Sequence, residues 1–177
     1  MSGTSAVTVA LIGGGANLFC HLTTMNSTPS STVESACIAG EWALFLRLVV
    51  NEFHCTTGTL HRLDPADQHL KLLAAQAIPA NLLPVIESIP MGKGIAGAAA
   101  QSLEPVELCN LQTDHSGVAK PGALQTKVQG SLAVPMISAG RLCGTLGIGK
   151  LEPYQFTTEE KTRLLEIAAQ AAARLLA

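Results

Sequence analysis

The chain has 177 residues, of which 47% are hydrophobic, 14% charged and 3% aromatic, and its 11 Lys and Arg against 13 Asp and Glu leave a net charge of −2. This much apolar side chain excludes intrinsic disorder, and a chain of this length buries roughly 70% of the surface it exposes unfolded, so one core forms without disulfide or metal staples. A balanced charge with no basic cluster excludes an electrostatic footprint for phosphate backbones or anionic lipid, so neither nucleic acid nor a membrane surface is an expected partner.

Residues 1–33 contain no Asp, Glu, Lys or Arg, and their Gly, Ser and Thr content marks an arm outside the main domain, which is taken as 34–177. Within the arm, the apolar run from Ala6 to Cys20 is broken by Gly13, Gly14 and Gly15 and is too short to span a bilayer. No basic residue precedes it, as a secretory signal requires. The five cysteines are an odd number without a C-x-x-C pair, which points to a reducing compartment and hence to the cytoplasm.

Ser31-Thr32-Val33-Glu34 fits a capping box and predicts a helix running to about His54. Its apolar side is read as Ala36, Ala39, Ala43, Leu46, Val50 and Phe53, at spacings of three and four. Thr56 to Leu63 and His69 to Ile78 read as a hairpin around the turn Asp64-Pro65-Ala66-Asp67. A helix is expected over Ala80 to Ser88, then a short alanine-rich helix ending near Gln101, and a third strand from Val106 to Leu111. Gln112 to Gln129 has no sustained apolar period and is expected to be a long loop, the kind of segment that carries function.

Ser131 to Ile137 and Leu142 to Lys150 form a second expected hairpin. On its last strand Leu142, Leu146 and Ile148 share a bulky face, and Cys143, Thr145, Gly147 and Gly149 a small one. Bulk suits packing on helices, whereas small groups leave room for a ligand or a closely approaching loop. The chain ends on the capping box Thr157-Thr158-Glu159-Glu160 and a helix whose stripe runs through Leu164, Ala168, Ala171 and Leu175. The order of elements predicts an α+β fold, an antiparallel sheet with terminal helices on one face.

Four pieces in this order, Ile89-Pro90-Met91-Gly92-Lys93-Gly94-Ile95-Ala96-Gly97, Ser131-Leu132-Ala133-Val134-Pro135, Cys143-Gly144-Thr145-Leu146 and Phe156-Thr157-Thr158-Glu159-Glu160, make residues 34–176 resemble a GAF domain. The resemblance implies a central antiparallel sheet, the first and last helices together on one face, and a loop-roofed pocket on the other. It also implies a sensory module that binds a small molecule or holds a dimer, and passes a signal through its terminal helices. No kinase, cyclase or helix-turn-helix pattern accompanies it. The chain therefore reads as a stand-alone regulator or part of a larger one, with a separate output protein as one expected partner.

The run Gly92 to Gly97 matches G-x-G-x-x-G, but it follows Pro90 and a helix rather than a buried parallel strand, so turn geometry and tight packing are its expected roles. Asp114-His115-Ser116-Gly117 supplies a carboxylate, an imidazole and a hydroxyl in the long loop and is the best ligand-contact candidate, although Asp, Ser and Gly more often mark a solvated turn. Asp114 and His115, with Ser131 and Thr145 on the last hairpin, are the expected ligand contacts; Lys120 adds a cation to the loop. No metal site is expected, because His54, His61 and His69 are seven and eight residues apart without an acidic cluster. No cofactor is identified.

One enzyme branch of the resembled family reduces free methionine sulfoxide with a cysteine in the loop before the strand ending Val-Pro. Lys120 to Gly130 contains none, and Ser131 and Leu132 stand where that branch has a glutamate. Of the cyclic-nucleotide pattern, Lys150, Phe156, Glu159 and Glu160 resemble the skeleton, but Gly149 replaces its asparagine. The expectation is a non-catalytic small-molecule sensor that forms a homodimer through its terminal helices. The alternative is a structural dimerisation module in which the Leu164–Leu176 stripe pairs between subunits, and the reductase comes third.

Overall fold

The computed structural model describes residues 29–113 and 127–176. Two helices, α1 (Pro29–Ala39) and α2 (Trp42–Glu52), stand where the periodicity predicts one. The break is made by Gly40 at φ +72°. Its N–H donates to the Cys37 carbonyl at 3.0 Å and the Glu41 N–H to the Ala36 carbonyl at 3.1 Å, the two bonds that close a helix on a left-handed glycine. The second helix then starts with its own phase. Phe45, Leu46, Val49 and Val50 are buried, whereas Ala39 and Ala43, expected on the apolar side, are exposed. Helix α1 begins at Pro29, a residue suited to a first helical position, so Ser31 lies inside the helix and Val33 is part of the core.

Strands β1 (Thr57–Asp64) and β2 (His69–Gln76) form the first hairpin. The helix expected over Ala80 to Ser88 is cut short to a 3-10 turn (Ala80–Leu82) and the single turn α3 (Leu83–Ile86). The reason is tertiary: the Leu72 N–H donates to the Glu87 carbonyl, and Ser88–Pro90 joins the sheet edge as β3, where a proline is tolerated. Helix α4 (Gly94–Ser102) follows, and then β4 (Val106–Leu108), shorter than expected because the chain turns at Leu111–Thr113. β5 (Ser131–Ser138), β6 (Arg141–Gly149) and α5 (Thr158–Leu176) complete the described chain.

The six strands lie in the order β3-β2-β1-β6-β5-β4, with every pairing antiparallel. Helices α1, α2 and α5 cover one face, where Leu60, Leu132, Val134 and Leu146 meet Phe45, Leu46, Leu164 and Ile167 in one core. The alternation read for β6 fails at one point. Met136 pairs with Gly144 and Ile137 with Leu142, so Cys143 is an extra residue that shifts the phase. Cys143 consequently joins Leu146 and Ile148 in the helix-side core, and Leu142 leaves that face. This is the α+β sheet-and-helix architecture that the sequence predicts. No helix among the described residues is long and apolar enough to cross a membrane.

Candidate functional site

On the face away from α1, α2 and α5 the sheet carries small side chains. Register puts Thr57, Gly149 and Ser131 in one row across β1, β6 and β5, and Thr59, Gly147 and Ala133 in the next. These rows floor a cavity of about 300 Å³. A Cβ on Gly149 would stand 2.7 Å from Thr57 Oγ1 and 2.8 Å from Val128, so the floor stays low only because those positions have no side chain. The opposite wall comes from Leu82 and Ile86 of the short helical turns and from Lys93 to Ala96 at the start of α4. Among the described lining residues Lys93 alone carries a fixed charge, and none is Asp or Glu.

His61 is fastened into this wall. It is 1% exposed, and its Nε2 lies 2.9 Å from the Ile86 carbonyl. A carbonyl only accepts, so Nε2 carries the proton and donates, while Nδ1 is left as a buried acceptor without a partner. Burial pushes the imidazole pKa below 6.5, against the opposing effect of the Ile86 bond, and the ring is neutral at pH 7. Thr145 sits directly across the strand pair from His61, is likewise buried, and its Oγ1 has no partner.

The start of α4 shows what its glycines do. Gly92 adopts φ +75°, its N–H donates to the Gly97 carbonyl at 2.8 Å, and the Lys93 N–H donates to the Pro90 carbonyl at 3.1 Å. A Cβ on Gly97 would lie 2.6 Å from the Pro90 carbonyl oxygen. The run thus makes a turn and brings α4 close against it, after an antiparallel edge strand rather than a parallel one. No side chain caps α4, and Gly94, Ile95 and Ala96, whose N–H groups open the helix, line the cavity.

Of the expected contacts, Ser131 lines the cavity; Thr145 shares its face but stands behind His61. Asp114, His115 and Lys120 lie outside the described residues, although Leu111 and Val128 on either side of that stretch both line the cavity. His61, Thr59 and Lys93 are lining residues that the sequence reading did not select. The alternation Thr57, Thr59, His61 along β1 was the available signal, legible only once the face of the sheet is known. The residues resembling a cyclic-nucleotide pattern are engaged elsewhere. The Lys150 Nζ stacks 4.1 Å over the Tyr154 ring, Phe156 is buried in the core, and Glu160 accepts from Tyr154 and Thr157.

The thiols with resolved shifts are not activated. Burial pushes Cys37 and Cys143 up, and Cys55 up to about 12, despite the lowering effect of Lys150. Cys109 is exposed.

The family model of the GAF domain matches residues 43–177. The chain belongs to the GAF domain family. Among solved structures, this GAF domain is similar to that of an Acinetobacter phosphoenolpyruvate-protein phosphotransferase, with a TM-score of 0.71 at 16% identity over 88% of this chain and 95% of that one. The corresponding domain from Coxiella burnetii gives 0.70 at 19%, over 85% and 95%. The free methionine-R-sulfoxide reductase of Neisseria meningitidis gives 0.66 at 19%, over 81% and 84%. At these identities the likeness concerns the fold. No curated protein matches the chain by sequence.

Proposed function

We propose that this GAF domain is a non-catalytic sensory module that holds a small molecule between the sheet floor and the α3–α4 wall. The observation that carries the reading is the cavity of about 300 Å³, with apolar walls and a few polar groups at Thr57, Thr59, Ser131 and Lys93. Ser131 and, across from His61, Thr145 are contacts we retain from the sequence, together with Asp114 and His115. A cytoplasmic setting agrees with four described free cysteines, two of them buried. The signal would leave through α1 and α5, towards a separate output protein.

Native mass spectrometry of gently purified protein, and thermal shift of the stripped protein against a metabolite library, test this. A ligand at a hundred times its Kd adds about 2.7 kcal/mol of stability, a readily measured shift. No co-purified mass and no shift across the library would remove the reading.

For the dimerisation alternative, Leu164, Ala168, Ala171 and Ala172 of the Leu164–Leu176 stripe are covered within one chain, whereas Leu176 is 44% exposed. A homodimer through the terminal helices would use their outer sides, and light scattering at high micromolar concentration decides whether it forms. For the reductase reading, we expect no turnover of free methionine sulfoxide. Turnover that disappears in Cys109→Ser would overturn the non-catalytic assignment.

A further inference from the structure

We infer that a surface groove at one end of the sheet docks an acidic, leucine-bearing segment of another protein. The groove shares no lining residue with the cavity and is independent of any ligand there. Register brings the β1–β2 and β5–β6 turns side by side, because Arg62 pairs with Gly144 near the end of each hairpin. Around this end runs a groove of about 710 Å³, from Ala100 and Leu103 at the close of α4, past Leu63 and Leu142, to Leu175 and Leu176 at the close of α5. Two backbone irregularities bring leucines to it. The extra residue at Cys143 turns Leu142 out of the helix-side core, and Leu103 sits at φ +59°, a left-handed angle that strains a leucine and leaves it 52% exposed. Exposed apolar strips rimmed by polar groups mark protein contacts.

Charge then selects the occupant. Arg62 and Arg141 line the groove, and no Asp or Glu is among its described lining residues. Among the described residues neither arginine enters an ion pair, whereas Lys71, Lys161 and Arg163 each do. Two guanidiniums without a counter-charge beside leucines fit a carboxylate-bearing chain, because the arginine fork takes a carboxylate through two parallel hydrogen bonds. A second copy of this chain fits less well, since a two-fold contact of the groove with itself sets the same arginines against each other. The chain's own residues 1–33 offer no Asp or Glu, and two cations are too few to hold an anionic lipid surface.

Fluorescence polarisation of short labelled peptides with the full chain tests this docking. One peptide alternates pairs of leucine and glutamate; a second has glutamine and a third lysine in place of glutamate, and a fourth has serine in place of leucine. The first is expected to bind about tenfold tighter than the glutamine and serine peptides. Arg62→Gln and Arg141→Gln, both at exposed positions, should each weaken it about threefold. Leu103→Asn suits the left-handed angle and so spares the fold, and should weaken it about tenfold. Arg62→Glu combined with Arg141→Glu should transfer the preference to the lysine peptide, a gain that loss of structure would not give. Absence of binding by the glutamate peptide, equal binding of the glutamine or serine peptide, or binding indifferent to Leu103→Asn overturns the inference. A dimer in light scattering that Leu103→Asn dissociates also overturns it and assigns the groove to a second copy. A rise in peptide affinity in Leu11→Ser combined with Phe19→Ser overturns it likewise, in favour of the chain's own N-terminal segment.

Discussion

At His61 the fold keeps a titratable ring neutral. Burial lowers its pKa below the ordinary 6.5, so beneath that pH the unfolded chain takes a proton that folded His61 resists. The stability contributed by the neutral ring is complete above about pH 6.5 and is lost as the pH falls below it. The urea midpoint is therefore expected to drop between pH 7 and pH 5.5, and His61→Gln to flatten that difference; a wild-type midpoint unchanged over this range would refute the assignment. Thr145 gives a second test. Its buried hydroxyl has no partner, so Thr145→Val should raise stability by about 1 kcal/mol, and a loss of similar size would show that the hydroxyl is engaged. A third residue, Gly144, admits no side chain, because a Cβ there would overlap the His61 carbonyl oxygen. Gly144→Ala should cost about 3 kcal/mol in denaturant unfolding.

At the scale of elements, the last helix was the most legible. The box read at Thr157 to Glu160 is made in both directions. The Glu160 N–H donates to Thr157 Oγ1 at 3.2 Å, and the Thr157 N–H donates to the Glu160 carboxylate at 2.8 Å. Thr157→Ala should accordingly lower the unfolding free energy by about 1 kcal/mol. The first helix was less legible, because Ala39 and Ala43 continue the same period on both sides of Gly40. Only the glycine's left-handed angle decides that the chain breaks there, and alanine's small side chain gives no signal of its face. Likewise β6 alternates as read from Thr145 onward but not at Leu142 and Cys143, since the extra residue at Cys143 leaves no mark in the pattern of side chains.

Across the whole molecule, the two faces of the sheet divide the work. One is closed by α1, α2 and α5 over a continuous core, and the α2–α5 contact is fastened by Arg163 donating to Glu52 at 2.8 Å. The other is left low by Thr57, Thr59, Ala133, Gly147 and Gly149, and the volume above it is what a ligand would occupy. Ala133→Leu, which places bulk on that floor, is expected to abolish ligand-induced thermal shifts while the free protein still unfolds cooperatively. Shifts persisting in that variant would place the ligand elsewhere. Four pieces of sequence sufficed to anticipate the family, because turns, caps and close glycine contacts are local requirements that recur in fixed order.

By itself, the sequence determined the two hairpins with their antiparallel pairing and the last helix, which follow from periodicity, turn residues and caps along the chain. The tertiary structure alone decided which side of the sheet meets the helices, and so that His61 and Lys93 face the same cavity as Ser131. Residues far apart in the chain share a wall only through strand register and the packing of α4, and a one-residue slip in either would turn a wall residue into a core residue.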